Sequence, residues 1–444
     1  MNTQTTKTDS QALHTSETRR GFLRSLVTGS VAATTGLASG LDISPLNYFS
    51  NSAIAGELKK KQKRVILLWL AGGASQLETF DPKPGAVTGG PFRAIPTSVP
   101  GTHISELMPE IAKRTNKMCI IRSLNTRNAD HGGGALLMMR GRANESGGLK
   151  YPDLGAVIAK EMGRIDSKVP DYISFYAQTE GRGAAPGDSG FLGSRFAPMH
   201  IYEKAVPENM QRMSQLTELD HQQRSDLREL FSKQFSQNRF SSSVNSHNEA
   251  YQRVRGIMAS EKLFDISQEP DKIRHRYGPT LFGEQALATR RLIEAGVPFV
   301  RLARAWWDSH GQNFETHQEL VPELDHVLST LIDDLGERGL LENTLIITLA
   351  EFGRTPGINQ ALGRDHFASA WSCSLTGCGI KGGALYGKTD AKGEKVIDGE
   401  IGAARLFATI YSALGINPQK NYHVGSRPVP LTDPGTESID EVLA

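Results

Sequence analysis

The chain has 444 residues, and its 50 lysines and arginines nearly balance its 48 aspartates and glutamates, which leaves a formal net charge of +2. A charge this close to zero argues against nucleic acid as the main partner. Beyond residue 55, no apolar stretch approaches the roughly 20 residues that a membrane-spanning helix requires, and three cysteines are too few for a disulfide framework.

The N-terminal segment has the order of a twin-arginine export signal. The pair Arg19-Arg20 precedes Phe-Leu, a mildly apolar run covers residues 26–41, and an A-x-A cleavage site ends at Ala55. We predict that residues 1–55 are a signal peptide and that the mature chain is periplasmic or extracellular. The alternative is a fortuitous arginine pair in a disordered basic tail.

Continuous apolar runs after this segment predict buried strands. Between them, apolar residues recur at helical spacing, most clearly over residues 324–335. Buried strands that alternate with amphipathic helices indicate an α/β fold, a doubly wound, mostly parallel sheet with helices on both faces. The predicted strands lie at residues 64–70, 118–121, 172–175, 297–303 and 344–349.

We assign residues 56–444 to one α/β domain with an insertion. Between about Tyr202 and Tyr277 the composition shifts to Gln, Ser, Glu, Arg and Met, with few β-branched residues. This composition predicts a helical insertion laid over the sheet and no further strand-bearing domain.

The cysteines form no recognisable motif. Cys119 lies in an apolar run and is expected to be a buried small hydrophobe. Cys373 and Cys378 could close a small loop in an oxidising compartment, but their spacing fits neither a zinc nor a redox motif.

Polar clusters follow the predicted strands, and ligands of open α/β sheets bind beyond the carboxyl ends of strands. After the first strand, Gly72-Gly73 opens a loop in which Ser75, Glu78 and Asp81 offer oxygen ligands. After the second, His131 stands at or just before a helix N-terminus, where backbone N–H groups favour an anion such as phosphate or sulfate. The alternative for His131 is a capping role without chemistry.

Two further clusters follow later strands. Asp308 and His310 form an Asp-x-His pair suited to Zn²⁺, Mn²⁺ or a similar ion. The fourth cluster runs from Glu351 and Arg354 to the Arg364-Asp365-His366 triplet. Together these residues predict a metal-centred or anion site, with structural hydrogen bonding as the alternative. By contrast, His317 and His326 occupy polar positions at or within a predicted helix and are expected to be exposed.

The order of the motifs resembles the bacterial family known as domain of unknown function 1501. The resemblance rests on the twin-arginine leader, on TFDPKP after the first glycine pair, and on WDSHG, EFGRTP, GRDH and GIKGG further along. It covers nearly the whole mature chain. It implies a fold related to sulfatases and alkaline phosphatases, which act on phosphate and sulfate esters at a mono- or dinuclear metal site.

The relationship also implies roles for individual residues. Asp308 and His310 resemble the pair that binds the first metal, and His366 resembles the later histidine that completes it. Asp365 is implied either as a ligand or as a group that orients His366. Glu351 stands where relatives have an Asp-His pair and is implied as a metal ligand.

The same resemblance exposes departures from the family pattern. Phe352 replaces the histidine that follows Glu351, and the acidic ligand after the first strand is either Glu78 or Asp81. Relatives place Ser, Thr or Cys at the helix start that is occupied here by Asp130-His131, and the Cys-x-Pro-x-Arg motif for formylglycine is absent.

Two functions remain compatible with these departures. In one, the protein is an exported metal-dependent hydrolase of a small or polymeric anionic ester, in which a metal-activated water attacks directly. His131 then serves as general acid or base, Arg354 or Arg364 neutralises the ester oxyanion, and Ser75 is a fallback nucleophile. In the other, the fold has lost catalysis and keeps a metal or anion site for binding. The cofactor is a divalent metal, Zn²⁺ or one of Mn²⁺, Ca²⁺ and Mg²⁺.

Overall fold

The computed structural model describes residues 61–142, 145–146, 148–163, 169–176, 187–202, 204–207, 215–236, 251, 256, 258 and 260–444. The predicted signal peptide, residues 1–55, lies outside the described residues. No helix in the described ranges combines the length and apolar character needed to cross a membrane.

An eight-stranded sheet forms the centre of the molecule, in the order β8-β2-β7-β6-β1-β5-β3-β4. Neighbouring strands are parallel except for β7, which runs antiparallel to both β6 and β2. The strands are β1 (Arg64–Leu70), β2 (Met118–Leu124), β3 (Tyr172–Tyr176), β4 (Met199–Tyr202), β5 (Phe299–Arg304), β6 (Thr344–Leu349), β7 (Trp371–Gly377) and β8 (Ala384–Tyr386).

Burial explains why the sequence showed five of these strands. Every residue of β1 and every residue of β6 is buried, because both faces of the sheet are covered. The predicted doubly wound, mostly parallel α/β sheet is confirmed. The sequence missed β4, β7 and β8, since β7 alternates polar and apolar residues (WSCSLTG) and the other two are short.

Helices flank the sheet. They are α1 (Pro109–Ala112), α2 (His131–Arg140), α3 (Leu154–Met162), α4 (Glu218–Ser236), α5 (Glu261–Phe264), α6 (Asp271–Tyr277), α7 (Leu281–Ala295), α8 (Asn313–Glu337) and α9 (Ala403–Ala413). Between Tyr202 and Tyr277, the part of the chain that the structure describes forms helices α4 to α6 and short turns, without a strand. This is the stretch for which the composition predicts a helical insertion.

Cys119, Cys373 and Cys378 are all buried free thiols, so Cys373 and Cys378 form no disulfide.

Five two-stranded ribbons lie outside the central sheet in the described residues. The ribbons pair Ala94–Pro96 with His103–Ser105, Glu145–Ser146 with Leu149–Lys150, Gly353–Arg354 with His366–Phe367, Lys388–Thr389 with Val396–Asp398, and Asn421–Val424 with Arg427–Pro430.

The strand registers bring several loops to one edge of the sheet. In β1, Trp69 pairs with Leu349 of β6 and Leu70 pairs with Arg304 of β5, so these three parallel strands end together. Strand β7 runs the other way and begins at Trp371, which pairs with the last residue of β2. The loop that enters β7 therefore lies at the same edge as the loops that leave β1, β2, β5 and β6.

Candidate metal centre

Three of these loops supply a cluster of three histidines and one aspartate. His131 is the first residue of α2, whose N-cap Asp130 accepts a hydrogen bond from the Gly133 N–H. Asp308 and His310 follow β5, and His366 precedes β7. Donor atoms of His131, Asp308 and His366 all lie within 4.8 Å of one another.

The four side chains point nitrogen and oxygen atoms at a common centre. Nε2 of His131 lies 3.2 Å from Asp308 Oδ2, and Nε2 of His366 lies 3.2 Å from Asp308 Oδ1. Nε2 of His310 lies 3.1 Å from the same Oδ1 and 3.0 Å from Nε2 of His366. Ligand atoms around one tetrahedral zinc ion lie about 3.3 Å apart, given metal–ligand bonds of 2.0–2.2 Å.

Each imidazole is held from behind through its other nitrogen. Nδ1 of His131 lies 3.0 Å from Glu351 Oε1, and Nδ1 of His310 lies 2.8 Å from Asp365 Oδ1. Nδ1 of His366 lies 2.8 Å from the backbone carbonyl oxygen of Ala129. Because these acceptors require a proton on Nδ1, all three Nε2 atoms turn a lone pair toward the cluster in the neutral rings. Metal-bound histidines are oriented by acceptors in this way.

The family model described as Protein of unknown function (DUF1501) matches residues 62–443. The chain belongs to this family. No curated protein matches the chain.

Three solved structures show distant likenesses to this DUF1501 protein. The PsFucS1 sulfatase from Pseudoalteromonas sp. is 13% identical, over 89% of this chain and 76% of that chain, with a TM-score of 0.40. Ps i-CgsB in complex with k-i-k-neocarrahexaose is 12% identical (80% and 73% covered, TM-score 0.40). The phosphonate monoester hydrolase of Agrobacterium radiobacter is also 12% identical (81% and 75%, TM-score 0.35). The chemistry of the DUF1501 protein depends on its own side chains.

Charge in the cluster centres on Asp308. Burial opposes its ionisation, but hydrogen bonds with His131 and His366 and the guanidinium of Arg354 hold its pKa well below the usual range for aspartate. Burial also opposes protonation of His131, yet hydrogen bonds to Asp308 and Glu351 raise the pKa of His131 to about 9 in the metal-free protein. The carboxylates thus create a strong local preference for positive charge, which a proton or a cation satisfies.

Arg354 belongs to the scaffold of the cluster. Its fully buried guanidinium donates to the backbone oxygens of Gly72, Gly73 and Arg364 and to Asp308 Oδ1. It therefore ties the loop after β1 to Asp308. These contacts occupy all three guanidinium nitrogens, so the predicted role of Arg354 toward an ester oxyanion has no geometric support.

Glu351 is fully buried beneath the cluster. Its Oε1 accepts from the Gly72 N–H at 2.8 Å and contacts His131 Nδ1. Its Oε2 is buried and has no hydrogen-bond partner among the described residues. A buried carboxylate oxygen without a partner calls for an explanation, and a cation at the cluster would offset the charge of this carboxylate. The donor set therefore fits a metal ion.

Phe352 occupies the space beneath the histidine rings. Its ring is fully buried, stacks on His366 at a centroid distance of 4.4 Å, and lies 5.0 Å from the His131 ring. Phe352 thus supports two of the imidazoles by packing.

Strained backbone surrounds the cluster. The described residues include four non-glycine residues with positive φ: Arg127, Trp306, Gln312 and Leu362. Each lies within four residues of a cluster histidine or aspartate in the sequence. Such conformations cost of order 1–3 kcal/mol each and concentrate at functional sites.

Asn359 fastens the loop that carries Asp365. Its side-chain amide donates to the His310 carbonyl at 2.9 Å and to Asp365 Oδ1 at 3.3 Å, while its Oδ1 accepts from the N–H groups of Ala361 and Gly363. A Cβ at Gly363 would lie 1.9 Å from the His310 carbonyl oxygen, so only glycine fits there. The sequence offered no signal for Asn359, because it acts across a loop.

Two residues assigned from the sequence lie in other networks. Asp81 forms a 2.9 Å ion pair with Lys83, lies 3.6 Å from Arg122, and accepts from Thr389. Arg364 is fully buried and pairs with Glu78 Oε1 at 2.8 Å. These contacts tie the loop after β1 to its neighbours and leave neither residue in the histidine cluster. Ligation by Asp81 and oxyanion binding by Arg364 therefore lack geometric support.

His317 is buried, so the prediction that it is exposed is wrong. It is fully buried in α8, where Nε2 accepts from the Ser75 N–H at 2.9 Å and Nδ1 contacts the Asn313 carbonyl at 2.8 Å. The sequence placed it on a polar helix position, but the loop after β1 folds over that position. His326, by contrast, is exposed as predicted.

Proposed function

We propose that this protein is a metal-dependent hydrolase of phosphate or sulfate esters, exported through the twin-arginine route. The observation that carries the proposal is the convergence of Nε2 of His131, His310 and His366 on the Asp308 carboxylate. In this assignment His131 is a metal ligand, which replaces the acid–base role suggested by its sequence position. Glu351 and Asp365 orient His131 and His310 through their Nδ1 atoms.

The donor set favours particular ions. Imidazole nitrogens suit zinc and other transition metals, whereas magnesium and calcium prefer sites built from oxygens alone. Three imidazoles with one carboxylate therefore favour Zn²⁺ over Mn²⁺, Mg²⁺ and Ca²⁺. A divalent ion held there would act as a Lewis acid toward the ester and promote deprotonation of water.

The open side of the cluster lies at His310 and Asp365. Their side chains are 48% and 56% exposed, whereas that of Glu351 is fully buried. The N-terminus of α2 lies at the same place, because His131 is its first residue, and a helix N-terminus favours a bound anion. An anionic ester therefore has an approach to the cluster from solvent and a positive helix end to meet it.

The geometry favours water over a side-chain hydroxyl as the nucleophile. Ser75 is fully buried, and its Oγ accepts from the Leu77 N–H at 3.3 Å. Ser309 is buried too and donates to Asn313 Oδ1 at 2.7 Å. Neither hydroxyl faces an external ester, so the fallback role suggested for Ser75 has no geometric support.

Arg354 completes the proposed mechanism by holding Asp308. Its contacts with Asp308 and with two loop carbonyls fix the carboxylate that all three histidines share. Asp308 stays ionised because of this charge, and an ionised carboxylate is the form that binds a cation. The arginine therefore prepares the binding site without touching the ester.

The test combines metal analysis with a substrate panel. Protein purified after native export is analysed for bound metals and assayed on phosphate monoesters, phosphodiesters and sulfate esters. We expect about one zinc ion per chain and turnover of at least one substrate class. Chelation should abolish this turnover and added zinc should restore it. A metal-loaded, folded protein that is inactive on all three classes would favour the binding-protein alternative. A protein that binds no divalent metal would refute the proposal.

A further inference from the structure

A cavity of about 530 Å³ opens beside the loop that carries Asp308. Its volume lies in the range of small-molecule pockets. It lies beyond the carboxyl end of β5, where open α/β sheets bind their ligands. Its lining comes from the end of β5 and the following loop, the start of α7, and the first half of α8, and it includes Arg304, Trp306, Glu319 and Glu323.

Trp306 forms an aromatic wall of this cavity. Its side chain is 56% exposed, although its neighbours Ala305 and Trp307 are buried. Its φ of +78° is a genuine outlier for a bulky residue and persists only where the surroundings determine it. Because Trp306 precedes Asp308 by two residues, their Cα atoms are at most about 7.6 Å apart. Trp306 therefore belongs to the same loop as Asp308, although no residue of the cluster lines the cavity itself.

The charges in the cavity exclude a second anionic group. Arg304 forms a 2.6 Å ion pair with Glu323, and Glu319 adds a carboxylate that leaves the lining with excess negative charge. Carboxylates accept hydrogen bonds and donate none. A ligand that fits this lining carries no negative charge, donates hydrogen bonds and offers an apolar face to an aromatic ring. A sugar ring has this combination.

We infer that the cavity binds a neutral sugar ring of the ester substrate, with the ring stacked on Trp306 and its hydroxyls donated to Glu319 and Glu323. The inference rests on the proposed function for the place of the ester itself. It narrows the substrate class to esters of glycans in which the sugar beside the reacting group carries no second charge. Binding of this remote part supplies energy that holds the ester at the metal centre.

Direct binding measurements test this inference without any turnover. Calorimetry and tryptophan fluorescence follow titration of the exported protein with neutral hexasaccharides (cello-, malto-, laminari-, xylo- and chitohexaose) and with a sulfated heparin hexasaccharide. We expect a neutral glycan to bind and Trp306→Ala to weaken it roughly threefold to tenfold, as expected for loss of an aromatic contact. Trp306→Phe should retain most of the affinity. Phe231→Ala, at a residue 60% exposed on α4, is the matched control and should change nothing.

A charge reversal at Glu319 tests the cavity even if the Trp306→Ala chain does not fold. Glu319→Lys should weaken binding of the neutral glycan and strengthen binding of the sulfated hexasaccharide. The inference is wrong if no neutral glycan binds up to about 10 mM, or if Trp306→Ala and Glu319→Lys both bind as the native chain does. Repeating the titration with a His366→Ala chain separates the two proposals. Glycan binding that persists there supports the cavity whether or not the metal centre is functional.

Discussion

The Nε2 atoms of His310 and His366 lie 3.0 Å apart, and both lie within 3.2 Å of one oxygen of Asp308. Each ring also has an acceptor at Nδ1, which is Asp365 for His310 and the Ala129 carbonyl for His366. Two lone pairs that face each other at this distance repel unless a proton or a cation lies between them. The pair is therefore arranged to share a positive charge with Asp308.

Removal of one of these nitrogens should remove the metal. His366→Ala leaves two imidazoles and a carboxylate, and we expect bound metal to fall from about one ion per chain to near zero under dialysis at fixed free zinc. His423→Ala, at an exposed histidine in the Asn421–Val424 ribbon strand, is the matched control and should keep its metal. Mass-spectrometric metal analysis decides, and full occupancy in His366→Ala would refute the site.

Much of the cluster could be predicted because its residues follow apolar strands. Asp308, and Glu351 beneath the cluster, come directly after β5 and β6, and parallel strands end at one edge. His366 reaches that edge for a reason the sequence did not show. It precedes the antiparallel strand β7, whose alternating sequence is not typical of a fully buried strand. Here the amino end of a strand contributes a residue to the cluster.

Other features depend on contacts between segments distant in sequence. Nothing in the sequence around Asp81 distinguishes a metal ligand from a partner of Lys83, and only the fold places Thr389 against it. His317 looked exposed on its own helix and is buried by the loop that contains Ser75. Periodicity along one element cannot report what packs on it from another.

The residues behind the histidines should tune metal affinity. Asn359→Ala removes the amide that bridges the His310 carbonyl and Asp365, and Asp365→Asn weakens the acceptor of His310 Nδ1. We expect each change to weaken zinc binding by roughly 10- to 100-fold, the usual effect of losing an outer partner. Competition with a fluorescent chelator measures this. Asn417→Ala, in a turn outside the cluster, serves as the control. Unchanged affinity in both variants would show that the loop does not position His310.

Gly72 should be irreplaceable for a steric reason. A Cβ there would lie 2.5 Å from the Asp308 backbone nitrogen, and its φ is +110°. Gly72→Ala should destabilise the fold by several kcal/mol, since overpacking typically costs 1–3 kcal/mol and the backbone strain adds about 1–2 more. It should also displace Asp308 and weaken metal binding.

Gly85→Ala is the matched control for Gly72→Ala. Gly85 also has a positive φ of +77°, but a Cβ there meets nothing within 4 Å. Only the backbone penalty of about 1–2 kcal/mol should appear, with normal metal content. Urea unfolding and metal analysis compare the two variants. Equal losses in both would show that the contact with Asp308 is unimportant.

Export through the twin-arginine route should require both leader arginines. Replacement of Arg19 and Arg20 by lysine should leave full-length precursor in the cytoplasm, because that exporter recognises the pair. The reverse change, from lysine to arginine at Lys60 and Lys61, lies after the expected cleavage site and should not affect export. Fractionation followed by N-terminal sequencing measures both, and cleavage near Ala55 in the double-lysine variant would exclude this route.

His317 should make stability fall in mild acid. Burial lowers the pKa of His317 from 6.5 to about 4, so the native side chain stays neutral where the unfolded chain takes up a proton. Between about pH 6.5 and 4 the unfolded state binds more protons, and the free energy of unfolding declines as pH falls, by on the order of 3 kcal/mol in total. His317→Gln keeps an acceptor for the Ser75 N–H and should flatten this dependence in urea titrations at pH 7 and 5, whereas His326→Gln, at an exposed position of the same helix, should leave it intact. A native pH slope in His317→Gln would assign the acid sensitivity to other groups.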